Sequence, residues 1–486
     1  MNYPKLAQFS QVKTMSLAQN NANRLFSRFR FKQLIKASDI SKDKGYAPLE
    51  MLFLMLIMVL ERSRSMYSGI VSLQKEKLKT PLNNMLNNEH YNWRNLLYLT
   101  ARRFAELCPV QKDNIPVLII DDTAKEKSGR KGENVSWFVD HCRKAYFMGF
   151  QVIMGVWSNG ITAIPIDTEL KIGKSRVKHA ARSDYQKGTH TEQRERMGKQ
   201  KKTNIAIQFI KRAMQRRFRF DYLLWDSWYN CSMSLHFVFE KLKPKDIDLI
   251  SMLKRDKQKY LHQNQYLTSK EIYHKTGKWR LHKETGIKYK SAVTTVLDKK
   301  SHLNPENQIP LGDIRMCFYK YPKHKDFKII ISTDTELSEL EILELYLRRW
   351  AVEVVFRDLK QHFGFDQSKS SKYAPQIADL TIRCVFYIMF CSLRDSHPEK
   401  STEQLLFEFY QEMQEDCLNI FSMLIFQNRA KEFLCFALKN GYTEIAQLLK
   451  DYELMLMKFF NEEWYENKIV DMDKRNFMHS HYRKVK

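Results

Sequence analysis

The chain has 486 residues, 43% of them hydrophobic, and a formal net charge of +26. That is enough apolar material for two or more domains. The charge exceeds what solubility needs, so it implies a polyanionic partner, with nucleic acid the first candidate. The longest apolar run, Met51 to Leu60, is too short to span a bilayer and lies between Glu50 and Glu61, so it reads as a buried helix. The N-terminal stretch MNYPKLAQFSQVK lacks the apolar core of a secretory signal, so nothing is expected to direct export. The eight cysteines are scattered singly, with no CxxC pair, which argues against a zinc site or a disulfide scaffold.

In chain order, residues 1–112 read as a helical domain. Apolar periodicity in LFSRFRFKQLIKA places Arg24, Arg28, Arg30, Lys32 and Lys36 on one side of the first helix, a basic face suited to DNA phosphates. The pattern turns extended after Pro116. Val117 to Ile120 is a buried-strand run that delivers Asp121, Asp122 and Thr123 at its end. YFMGFQVIMGVW and ITAIPI flank Asn159-Gly160, a strong hairpin signal. From Lys171 to Lys202 the chain is polar and basic, read as a loop or a nucleic-acid contact. A helix, TNIAIQFIKRAMQRR, and a second buried strand, FDYLLWD, follow, and this strand also ends on a carboxylate, Asp226.

Strand, hairpin, helix and strand, with acids on the first and fourth strands, is the succession of an α/β, ribonuclease H-like core. Its first and fourth strands lie side by side, about 5 Å apart, so Asp226 is expected near Asp121 or Asp122. Such a pair repels unless a divalent cation intervenes. Short alternating segments over 246–325 read as a β-rich insertion, FKIIIST as one more core strand, and the remainder as helices. The expected division is 1–112, 113–245, 246–325, 326–395 and 396–486, the last a helical region with a possible pairing role and a basic tail.

Ser338 to Gln361 is predicted as a single amphipathic helix opened by an S-x-x-E capping box, with Leu340, Leu343, Leu347, Trp350, Val354 and Leu359 facing a core. Tyr346, Arg349, Glu353 and Lys360 share another stripe of that helix. Alternatively, this stripe is a solvated face carrying i,i+4 ion pairs such as Arg349 with Glu353.

The spacing Y-x2-R-x3-E-x6-K formed by these four residues, with the acids of IIDDT and LLWDSWY, resembles the DDE transposases of bacterial insertion sequences. The likeness covers roughly residues 115–395. It implies that Asp121 or Asp122, with Asp226 and Glu353, holds two Mg²⁺ or Mn²⁺ ions. D-x-T selects Asp121 and D-T selects Asp122, so both alignments stand. It also implies that Tyr346, Arg349 and Lys360 grip phosphates near the cleaved end. Trp279 is a candidate for stacking on an unpaired base, against a purely structural role, and Lys125 and Lys127 are candidates for facing DNA. The partners implied are double-stranded DNA, as element ends and target, and a second copy of the chain, with no membrane and no small-molecule substrate; the location implied is the bacterial cytoplasm, at the nucleoid. Competing readings are an endonuclease of the same fold that does not join strands, and a non-catalytic DNA-binding protein.

Overall fold

The computed structural model describes residues 19–42, 44–60, 76–140, 143–255, 257–298, 309–324, 326–397, 399–409 and 411. Apart from its first residues, the helical region expected over 396–486 lies outside this set, and so do its pairing role, the basic tail, Cys417 and Cys435. The described residues divide into two compact units: those within 1–88 and 362–369 with those from 397 on, and those within 89–361 and 370–396.

In the first unit, Pro48–Leu60 is helical, and every residue from Met51 to Val59 is buried, as its all-round apolar character requires. Phe26 packs on Phe31 at 4.9 Å and edge-on against Phe53 at 6.2 Å. The expected first helix is two, Gln19–Arg28 and Phe31–Lys36, divided at Arg30, which adopts a left-handed conformation. Arg24, Arg30, Lys32 and Lys36 are exposed.

The second unit is built on a mixed sheet of twelve strands. They are β1 Val117–Glu126, β2 Ser136–Asp140, β3 Ala145–Ser158, β4 Ala163–Lys171, β5 Tyr222–Trp225 and β6 Asp248–Leu253; then β7 Lys259–His262, β8 Gln265–Thr268, β9 Arg280–Leu281, β10 Lys288–Leu297, β11 Pro310–Lys320 and β12 Lys328–Ser332. The order is β2-β3-β1-β5-β6-β12-β11-β10-β7-β8, with β4 also on β3 and β9 on β10. β1 is antiparallel to β3 and parallel to β5, and β5 is parallel to β6. The strands of 246–325 therefore continue the same sheet, joined to it where β12 pairs with β6.

The hairpin between β3 and β4 turns at Asn159-Gly160. Asn159 Oδ1 accepts from the amides of Ile161 and Thr162, and Gly160 has φ +96°, which favours glycine. The helix Tyr373–Ser396 is long and apolar enough to cross a membrane by composition alone, but 94% of its most apolar window is buried inside the protein, so it is a core helix.

The basic stretch 171–202 departs from its reading as a loop, because His190–Gly198 is a helix capped by Thr189. Strand alternation places Asp167 and Glu169 on one face of β4, both fully buried. Three arginines from three helices meet them. Arg94, in the helix Trp93–Leu107, pairs with both acids, Arg194 with Glu169 at 2.9 Å, and Arg212, in the helix Lys202–Gln215, with Asp167 at 2.7 Å. The Tyr98 hydroxyl donates to Asp167. Burial alone would raise Asp167, but Arg212 and Arg94 beside it bring its carboxyl below the usual range.

Removing one member of such a network leaves a buried charge unpaired. Asp167→Ala is expected to cost about 3–5 kcal/mol, read as a shift of the urea midpoint. A change under about 1 kcal/mol, the level of exposed ion pairs, would show that the network does not hold β4 to its helices.

Candidate active site

β1 does not stop at its acids, contrary to the sequence reading: it continues to Glu126 against β3. What ends there is its parallel neighbour, whose last pair is Ile120 with Trp225. Asp121 and Asp122 thus lie just past the point where β5 leaves the sheet. Asp226 follows Trp225 and caps the short turn Ser227–Tyr229, accepting from the Ser227 amide at 2.5 Å.

Alternation along β1 sends the two adjacent acids to opposite faces. Asp122 meets Lys202 Nζ at 2.9 Å, the Tyr229 hydroxyl at 3.2 Å and the Gln151 side chain. Burial, with Asp122 and Asp121 nearby, keeps Tyr229 protonated well above its ordinary range, so it donates to Asp122. Asp121 instead meets Arg349 Nη1 at 2.6 Å, and Nη2 of the same guanidinium binds Glu353 at 3.0 Å. Two residues on, Thr123 accepts from Lys360 Nζ at 2.8 Å. The strand residues Asp121 and Thr123 are therefore matched to Arg349, Glu353 and Lys360.

That match depends on a break in the segment predicted as one helix. Glu339–Leu347 and Ala351–Gln361 are separated by a 3-10 turn, Arg348–Trp350, after the expected capping box at Ser338 and Glu341. The tighter turn shifts the periodicity, so Leu347 and Trp350, expected in the core, are exposed, while Ile342, Leu345, Val352, Val355 and Phe356 are buried. Tyr346 is buried, and its ring centre lies 5.8 Å from the Arg349 guanidinium. Burial pushes its hydroxyl up to about 12. The Tyr346 hydroxyl and the Arg349 Nε–H are buried and make no hydrogen bond within ordinary limits, leaving two polar groups beside the carboxylates.

Asp121 has its carboxyl raised to about 7, first by burial and then by Asp122 and Asp226, against the opposing effect of Arg349. The negative charge at this point is under-compensated. Among the described residues no three ligating side chains are close enough to hold an ion, and Arg349 bridges Asp121 and Glu353. The donor chemistry fits a hard divalent cation: the acids offer only oxygen, and one carboxyl is destabilised for want of positive charge.

A family model described as DDE superfamily endonuclease matches residues 46–305. The chain belongs to the DDE superfamily endonucleases. Membership implies an enzyme acting on DNA with divalent metal ions. The match includes Asp121, Asp122 and Asp226 and ends before Glu353. No curated protein matches this family member.

Lys125, expected to face DNA, is corrected: it lies on β1 on the Asp121 face and is fully buried, out of reach of a bound strand. Trp279 is half-buried, edge-on to Tyr273 at 5.9 Å, with Lys290 Nζ 5.3 Å from its ring centre. The sequence reading missed Lys202, Tyr229 and Trp228. Trp228, two residues after Asp226, is 53% exposed, with Lys254 Nζ 3.4 Å from its ring centre. The SWY run beside the acid was the one available signal for Trp228 and Tyr229, and Lys202 had none.

Asp121 holds its proton to about pH 7 when folded, against 3.8 as a reference carboxyl. The folded chain therefore binds more protons than the unfolded chain across that window, and stability falls as pH rises through it. In chelator, Asp121→Asn is expected to melt progressively higher than wild type as pH rises from about 4 to about 8. Mg²⁺ should raise the wild type and leave the variant unmoved. A difference independent of pH and of Mg²⁺ would remove the under-compensated carboxylate.

Proposed function

We propose that the chain is a DNA transposase that binds the ends of its own element, cleaves there and joins the freed 3′ ends to target DNA. The supporting observation is the Arg349 bridge, which brings Glu353 from a helix to Asp121 on the central strand. On this reading Asp121, rather than Asp122, is the first catalytic acid, with Asp226 and Glu353. Asp122 is committed to Lys202 and Tyr229, where it orients the opposite face. The order β4-β3-β1-β5-β6, with β3 antiparallel, supports a ribonuclease H-like core.

Asp121, Asp226 and Glu353 would hold two divalent ions, Mg²⁺ by preference, which when bound supply charge neutralisation at the attacking and leaving oxygens of an in-line displacement. Arg349 has a planar fork suited to a phosphate, with the Tyr346 ring centre 5.8 Å from its guanidinium. Lys360 adds a point charge one helical step further along, and Trp228 with Lys254 offers a stacking surface beside Asp226. Residues 1–112 would read the element end through their basic face. Of the strands within 246–325, β6 belongs to the core and β7 to β11 would form the insertion, and 396–486 would pair two copies on DNA. The location proposed is the cytoplasm, at the nucleoid.

The deciding assay is cleavage and joining of a labelled DNA carrying the element's own end, with Mg²⁺. Glu353→Gln is expected to bind the DNA as wild type does and to lose at least roughly a hundredfold in both steps. Cleavage without joining by the wild type would make the chain a plain endonuclease, and full activity of the variant would make Glu353 a surface charge. Trp228→Ala should weaken single-stranded DNA binding by about 1–3 kcal/mol, the value of one base–aromatic stack, measured by fluorescence anisotropy; unchanged affinity removes Trp228 from the DNA path.

A further inference from the structure

A polar cavity in the second unit lies away from the acids. Its volume is about 220 Å³, and none of Asp121, Asp226 or Glu353 lines it. Four arginines do: Arg94, Arg194, Arg212 and Arg216, with Trp93 and Tyr98 among the aromatic neighbours. The carboxylates bonded to this set are Asp167 and Glu169, which are fully buried and engaged by three of the arginines. Four guanidiniums thus stand against two carboxylates.

The surplus has electrostatic and hydrogen-bonding consequences. Burial lowers Arg94, and repulsion from Arg194 and Arg212 adds to it against the pull of Glu169 and Asp167. Arg216 is exposed and lies 5.5 Å from the ring centre of Tyr98, at the open side of the same cavity. Trp93 is 3% exposed, and its indole N–H has no hydrogen-bond partner among the described residues. The helices Trp93–Leu107 and His190–Gly198 both begin at the cavity, adding the partial positive charge of two helix N-termini. A structural ion network alone calls for balance between its charges and for satisfied donors, and this one has an excess of positive charge and an unused donor.

We infer that the cavity is a binding site for a phosphate group. Guanidiniums approaching from several helices match an anion that accepts on many oxygens, which favours phosphate over a planar carboxylate. Free phosphate or nucleotide and the phosphate of a bound DNA strand present the same chemistry. The site stands whether or not the chain joins DNA strands.

The test uses the full chain. Inorganic phosphate is titrated into wild type and Arg216→Ala by calorimetry at constant ionic strength, with chloride as the control. In parallel, anisotropy of a labelled duplex is read in both proteins with and without phosphate as competitor. Arg216 is exposed, so its removal should leave the melting temperature unchanged. The expected result is saturable binding of one phosphate, weakened at least about tenfold in Arg216→Ala, as for loss of one charge-assisted contact. If phosphate also competes with the duplex and Arg216→Ala loses duplex affinity, the natural source is a DNA phosphate. If duplex binding is indifferent to both, the source is a free phosphorylated ligand. No phosphate binding to wild type, or equal binding to both proteins, overturns the site. Loss of duplex affinity in Arg216→Ala that phosphate does not reproduce by competition is ordinary surface charge and also counts against it.

Discussion

The guanidinium of Arg349 is the contact on which the site's architecture turns. A sheet that delivers Asp121 and Asp122 beside Asp226 concentrates negative charge where water is scarce, and the fold needs counter-charge there. Arg349 supplies it while tying the strand to Glu353. The neighbouring acid is handled differently: the pleat turns Asp122 away to Lys202 and Tyr229. The short turn at Arg348–Trp350 follows from the same need, since it separates the helix that packs through Leu343 and Leu345 from the helix that presents Glu353 and Lys360. An exposed Leu347 and Trp350 accompany that turn.

The molecule buries carboxylates in two contrasting ways. Asp167 is held below its ordinary range by Arg212 and Arg94 and stays ionised inside the protein. Asp121, with one bridging arginine and two acids close by, is raised to about 7. Around β4 the arginines outnumber the carboxylates they meet, whereas around Asp121 the carboxylates outnumber the one bridging arginine. Arg194 bonds Glu169 and the Thr168 carbonyl on one strand, whereas Arg349 bridges two carboxylates from different elements.

Much of the core was legible from local chemistry. The apolar run before Asp121, the strand before Asp226, the Asn159-Gly160 turn, the capping box at Ser338 and the all-apolar helices each depend on neighbours in sequence, and each formed. The failures share a cause: they depend on partners far away in the chain. Hydropathy reads 171–202 as a loop because it counts Arg194 as polar, and it has no way to see Glu169 waiting inside. Lys125 looked like a DNA contact because lysines are usually solvated, yet the helix Tyr373–Ser396 closes over that part of the unit and its charge is felt by the buried Cys384. At the site, four spacings gave Tyr346, Arg349, Glu353 and Lys360, but only the pleat shows that Asp121 faces Arg349 while Asp122 faces Lys202.

The pairing of β6 with β12 has a consequence for how the protein is made. β6 receives β5 on one side as soon as both have left the ribosome, but its other edge waits for Lys328–Ser332, after all the strands from β7 to β11 have been synthesised. Throughout that interval the nascent chain carries an open, apolar strand edge at the centre of its future sheet, the kind of surface that templates pairing with a neighbouring chain. The more slowly copies accumulate, the less often two such half-built sheets meet.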